Sequence, residues 1–271
     1  MSVARPQIFR SPVSSGVIVM IRSFFLLLLL CGLPPLLSAA DRPLVWFDQA
    51  HGQAFRVDQQ GPLHLSDLAR LLVEAGSIVE TSRQPLDESI LSRVDALILS
   101  GAFQPYTAGE IEAIQAFLER GGRLAIMLHV APPLRGLLHQ LGVDFSNGVI
   151  REQQQIIGKD PLNFRVDQLA AHPLTAGLKG FNIYGGWALT NFDARAQIIA
   201  WSGPRSWVDL DRNLQLSQVD AMQRFGVMVV GDLGKGAFVV FADDAIFQNQ
   251  FLPGNHALAE NLVRWLLNQK E

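Results

Sequence analysis

Between Asp95 and Val130 the chain spells out a strand, a helix and a second strand, and this unit constrains the fold more than any other segment. Asp95-Ala96-Leu97-Ile98-Leu99-Ser100 is an apolar run closed by Gly101. Thr107-Ala108-Gly109-Glu110 has the pattern of a capping box: the threonine hydroxyl accepts an otherwise unpaired N–H, and the glutamate reaches back to the threonine's own N–H. Ile111, Ile114 and Leu118 then recur at helical spacing beside Phe117, and Gly121-Gly122 stops the helix. Arg123 to Val130 follows as an apolar strand. Two strands joined through a crossover helix run parallel, so the unit predicts a parallel sheet with helices against it.

The flanking segments extend the pattern. Leu44 to Phe47 is a buried-strand run that ends in the polar loop Asp48-Gln49-Ala50-His51-Gly52. Ser66 is the expected cap of a helix from Asp67 to Ala75, and Ser77 to Glu80 reads as the next strand. The rhythm loosens from Gly142 to Leu189, so residues 142–190 are expected as an irregular insertion or an extension of the sheet. Ala196 to Trp201 and Trp207-Val208 are strand-like. Phe225 to Val230 and Ala237 to Ala242 form a hairpin around a Gly/Asp/Lys turn, and Asn255 is the expected cap of a last helix, Ala257 to Asn268. Of the two hairpin strands, Ala237–Ala242 is expected to be the parallel one, because the last helix follows it like a crossover. The sum is one α/β domain over residues 41–271: three layers, a mainly parallel sheet of flavodoxin or glutamine-amidotransferase type, and a C-terminal hairpin and helix.

Residues 1–40 read as an N-terminal extension and a secretory signal. Met20-Ile21-Arg22-Ser23 precedes the apolar block Phe24 to Leu30, and Ser38-Ala39-Ala40 supplies the small residues before a cut. The block is shorter than the ~20 residues a bilayer-spanning helix needs, and Pro34-Pro35 breaks it. Cleavage after Ala40 is expected, giving a periplasmic or cell-envelope chain that starts at Asp41. An uncleaved signal is the alternative and the only expected membrane link. A lipoprotein reading at Leu30-Cys31-Gly32 fits poorly, because a small residue is wanted before the cysteine. Residues 1–19 resemble an over-extended start, which leaves Met1 and Met20 both open.

Cleavage removes Cys31, the only cysteine, and with it any disulfide or thiol nucleophile. It also removes Arg5, Arg10 and Arg22 without an acid, taking the formal charge from −3 to −6. A mildly acidic chain with no basic stripe argues against nucleic-acid binding.

In open α/β sheets ligands bind beyond the carboxyl ends of the strands. The residues at those ends are Asp48 with His51, Ser100 with Gly101, His129, and Asp243 with Asp244. Asp48, His51, His129 and Asp243 have the chemistry of a divalent-metal site or of an acid and a base. No cofactor motif is present, and a divalent metal is the one cofactor this set would accept. Each residue also has a plainer role: His129 as a hydrogen-bonded core-edge histidine, Asp243 or Asp244 as the cap of a turn, Asp48 and His51 as an ordinary loop pair. Ser100-Gly101 is not a nucleophile elbow, and no Gly-x-Ser-x-Gly occurs.

The order of these segments resembles the class I glutamine amidotransferase-like superfamily. The residues that carry it are Val45 to Gly52, Asp95 to Gly101, Phe117 to Leu124, Gly234-Lys235-Gly236, Phe241 to Asp244, Asn255 and Leu262 to Leu266, with His172 to Leu178 as a further segment. Within that superfamily it is most similar to an uncharacterised bacterial domain group. That group lies near the auxiliary proteins of gliding-motility-type ABC transporters and an intraflagellar-transport domain of the same fold. Active members carry a cysteine after the strand matching Arg123 to Val130, and a His and Glu after the last strand. Here those places read Leu128-His129-Val130-Ala131-Pro132 and Ala242-Asp243-Asp244, so the glutaminase triad is missing.

The expected function is therefore an exported, non-catalytic binding or scaffolding module that recognises an envelope protein partner or a small polar ligand. Two alternatives remain: a metal-assisted hydrolase of a carbohydrate or amide, and an accessory subunit of an envelope ABC transporter. Phe181, Tyr184, Trp187, Trp201 and Trp207 are candidates for stacking a sugar or meeting a partner, with core packing as the plainer role.

Overall fold

The computed structural model describes residues 42–269. The expected signal peptide and its cleavage site lie outside them. In chain order the elements are β1 (Leu44–Asp48), α1 (Ser66–Glu74), β2 (Ile78–Ser82), α2 (Glu88–Leu91), β3 (Ala96–Ser100), α3 (Ala108–Arg120), β4 (Arg123–Met127) and α4 (Arg135–Gln140). The second half holds β5 (Val143–Arg151), β6 (Asn163–Val166), β7 (Gln168–Leu169), β8 (Phe181–Tyr184), β9 (Trp187–Asn191) and β10 (Ala196–Trp201). It ends with β11 (Trp207–Val208), β12 (Ala221–Met222), β13 (Gly226–Leu233), β14 (Gly236–Phe241) and α5 (His256–Leu266).

The fold is α/β around a mixed sheet of 12 strands. Its parallel half runs β2-β1-β3-β4-β14, every pair in parallel register. This is the flavodoxin-like order, with the topological switch between β1 and β3. The hairpin partner β13 is antiparallel to β14, so β14 is the parallel strand, as the placement of α5 implied. Beyond β13 the sheet continues antiparallel through β9, β5, β11 and β12, with β10 pairing both β13 and β7. Residues 142–190 are thus an extension of the sheet rather than an irregular insertion: β5 and β9 join it, and β6 and β8 form a small ribbon.

Local chemistry explains the α3 unit. The capping box is formed, with Glu110 N–H donating to Thr107 Oγ1 at 3.3 Å and Thr107 N–H donating to Glu110 Oε2 at 2.9 Å. Gly121 closes the helix in the left-handed region, and a Cβ on Gly122 would lie 2.3–2.5 Å from the Phe117 ring. Ile114, Phe117 and Leu118 are fully buried, each worth roughly 1.5–3 kcal/mol.

Two expected caps differ. Ser66 is the first helical residue, and Asn249 Oδ1 instead accepts the Asp67 N–H at 2.9 Å. Asn255 stands at the start of α5, but its side chain bonds the backbone of Asn182 and Ile246. Among the described residues no helix is long and apolar enough to cross a membrane.

Candidate functional site

The switch point between β1 and β3 is where this sheet order opens a crevice, and here a buried polar network fills it. Asp48 ends β1. Its Oδ2 accepts from Tyr106 OH at 2.6 Å and Gln53 Nε2 at 2.7 Å, and lies 2.7 Å from His51 Nδ1. The other ring nitrogen of His51 lies 3.0 Å from Glu110 Oε1. The imidazole stacks on Tyr106 at 3.7 Å between centroids. Phe103 and Gln104 donate their N–H groups to the His51 carbonyl, pinning the 49–53 turn to the loop after β3. Burial works to lower the His51 pKa, but the hydrogen bond and charge of Asp48, then Glu110, outweigh it and raise it. Burial pushes the Tyr106 phenol well up, and the Asp48 charge adds to this. Each ring nitrogen of His51 thus faces a carboxylate, and protonation of the ring places a cation between the two.

One strand further along the same edge, His129 follows β4 and Asp244 follows β14. His129 Nδ1 is 3.1 Å from Asp244 Oδ1. Asp244 is fully buried, whereas the His129 side chain is 39 % exposed. Phe55 meets the imidazole edge-on at 4.8 Å and Phe103 lies at 5.4 Å. The Asp244 hydrogen bond raises the His129 pKa against the opposing effect of burial. Burial in turn raises that of Asp244. Asp244 Oδ2 and Ser100 Oγ are buried without a hydrogen-bond partner. Gly101, at φ +63°, lies against them: a Cβ there would be 2.8 Å from Asp244 Oδ2 and 3.1 Å from Phe55.

The structure divides the four proposed ligands. Asp48 pairs with His51, whereas His129 pairs with Asp244 rather than Asp243. Asp243 caps its turn: Oδ1 accepts the Ala245 N–H at 2.9 Å and Oδ2 the Tyr184 N–H at 2.6 Å. Burial, then the Asp244 charge, pushes its pKa up to about 7. Asp48, His51, His129 and Asp243 therefore lie at the carboxyl ends of parallel strands but do not converge on one point. The expected concave pocket is also absent from the clefts described: those of about 250 to 490 Å³ are lined by none of the seven candidates.

Among the described residues, the group with metal-ligand spacing is instead Asp209, Asp211 and Asp220, with donor oxygens within 4.8 Å of one another. Sequence reasoning missed it. Its signal was the order Asp-x-Asp-x-Asn with an aspartate at the twelfth position, the spacing of a calcium loop. The oxygens accept bonds from within the loop, including the N–H groups of Leu210, Asn213, Leu214 and Ser217. Glu110 and Tyr106 were missed too, although a capping-box glutamate has a second oxygen free to bond elsewhere.

Solved structures with a similar fold include the mmIFT52 N-terminal domain, with a TM-score of 0.66 at 16% identity over 82% of this chain and 97% of that one. A putative ThuA-like protein from Bacteroides uniformis matches with a TM-score of 0.54 at 14% identity, over 89% of this chain and 97% of that one. Another, from Parabacteroides merdae, matches with 0.50 at 10%, over 84% and 91%. At these identities the likeness shows the fold alone. No curated protein matches the sequence. A family profile covers residues 58–263, most of the chain, and so the protein belongs to the family described as Domain of unknown function (DUF4350).

Proposed function

We propose that this protein is an exported, non-catalytic binding module with a degenerate amidotransferase-like fold, and that His129 is the head of its site for a small polar ligand. The observation that carries the reading is the asymmetry of His129. One ring nitrogen is held by the buried Asp244, and the ring is 39 % exposed. A partner carboxylate fixes the ring and raises its basicity, so Nε2 is presented to a small polar ligand as an acceptor in the neutral ring and as a donor once the ring is protonated. Phe55 and Phe103 give the ligand apolar flanks.

Two observations favour binding over chemistry. No cysteine follows β4. Ser100 Oγ has no hydrogen-bond partner, whereas a serine nucleophile needs its base within reach.

The test is histidine NMR on the purified domain, titrated with a panel of small monocarboxylates, sulfonates and polyols. At least one should move the His129 ring signals in a saturable way. Asp244→Asn should weaken that binding by about tenfold or more while the protein stays folded. No saturable shift across the panel would overturn the reading.

Export rests on the charged, apolar and small-residue order of Met20 to Ala40. Mass spectrometry of envelope-fraction protein should find Asp41 as the N-terminus. A chain that retains Phe24 to Leu30 would reject cleavage.

A further inference from the structure

The largest of the clefts described, about 490 Å³, opens at the amino ends of the parallel strands, the edge of the sheet opposite the His129 site. Pro43 before β1, Asp95 before β3, Arg123 at the start of β4 and Lys235 before β14 line it, and α3 and α5 end at its sides. Its volume is that of a small-molecule pocket.

Local structure gathers three cations there. Arg120 is the last residue of α3 and Arg123 the first of β4, and Gly121 and Gly122 between them carry no side chain. The β13–β14 turn folds onto the same helix end. Gly234, at φ +62°, approaches so closely that a Cβ there would lie 2.5 Å from Glu119 Cα, and the Lys235 N–H donates to the Glu119 carbonyl at 3.2 Å. Lys235 is thereby set beside Gly121: its Cβ lies 3.7 Å from where a Cβ on that glycine would be.

Arg123 is half-buried. Its guanidinium lies over the Trp265 ring at 4.9 Å and donates to Asn268 Oδ1 at 3.1 Å, one bond for a group with five N–H donors. Burial lowers its pKa, and the charge of Asp232 offsets this only in part. Among the described residues no Asp or Glu makes an ion pair with Arg120, Arg123 or Lys235. Asp95 is the one acid of the lining, and its Oδ2 accepts the Leu44 N–H at 2.7 Å. Glu119 is exposed and outside the lining. The carboxyl ends of α3 and α5 add about half a negative charge each. Three cations against Asp95 and two helix ends leave the cleft positive.

We propose that this cleft binds the phosphate group of a small phosphate ester. The guanidinium forks of Arg120 and Arg123 and the point charge of Lys235 match its several acceptor oxygens, whereas a monocarboxylate occupies one fork. The organic part of the ester fills the remaining volume. A soluble ester and a lipid headgroup offer the same chemistry, and the test separates them. The proposal is independent of the His129 site.

The test is calorimetric titration of the purified protein with glycerol 1-phosphate and with acetate, and cosedimentation with vesicles containing phosphatidic acid. Saturable binding of glycerol 1-phosphate, weakening as salt rises, would identify a soluble ester, and binding to the vesicles alone a lipid headgroup. In either case Arg120→Gln with Lys235→Gln should weaken binding about tenfold or more. Both residues are exposed, and a cooperative melt of the double variant should confirm that the fold is kept. Arg205→Gln removes an exposed cation outside the cleft and should leave binding unchanged. Binding of neither probe, acetate binding as tightly as the ester, or an equal loss with Arg205→Gln would overturn the proposal.

Discussion

His51 has a carboxylate at each ring nitrogen, and the fold cannot remove it cheaply. Asp48 and Glu110 are both buried beside it, so taking the cation away leaves two carboxylates facing each other out of water. His51→Gln should therefore destabilise the protein by about 3–5 kcal/mol in urea melts at pH 6. The pH dependence has a defined sign. The folded-state pKa of His51 is raised above the unfolded value, so its contribution is fully present below the unfolded pKa of about 6.5. It is lost as pH rises through the raised folded value. The gap between wild type and His51→Gln should thus shrink toward alkaline pH, and a gap that widens there would refute the charged clamp. Half of this arrangement was legible: Asp48 and His51 sit three apart after an apolar strand. Glu110 and Tyr106 belong to a later loop and helix, and only packing brings them to the ring.

Helix ends show how far local rules reach. The Thr107 capping box forms as written because donor and acceptor lie three residues apart and meet once the first turn exists. Ser66 obeys the same statistics and is displaced, because Asn249 arrives from the other end of the chain. Asn249 also donates to the Gly61 carbonyl and to Ser66 Oγ, so it ties the connection between β14 and α5 to the start of α1. Asn249→Ala should cost about 1 kcal/mol or more, the value of a lost cap, and should speed hydrogen exchange at the Asp67 amide before other α1 amides. If Ser66→Ala destabilises the protein more than Asn249→Ala, this assignment fails.

At the scale of the whole molecule, the parallel half and the antiparallel half share one sheet through the β13–β14 hairpin. The parallel half was predictable where a crossover helix was legible, as α1 and α3 were, whereas the four-residue α2 between β2 and β3 was not read. The antiparallel half was not, because β5, β9 and β11 are short or interrupted and their partners are distant in sequence. Twelve strands form one frame, and the candidate ligand site lies at the carboxyl ends of its parallel strands. Residues 42–269 form one contiguous core around it.

The sequence by itself determined the elements whose signals are local: the capping box, the βαβ unit, the hairpin and the polar residue waiting at each strand end. It therefore placed Asp48, Ser100, His129, Asp243 and Asp244 at the carboxyl ends of their strands. Tertiary structure decided which of them meet. Asp243 and Asp244 are neighbours in one turn, yet the first is taken by backbone N–H groups of Tyr184 and Ala245 and the second faces His129. Successive side chains leave such a turn in different directions, and only the packing of β8 and β4 around it supplies the partners. Hydrogen bonds within a few residues are set by the backbone conformation they share, whereas those between strands and loops far apart exist only once the sheet has closed.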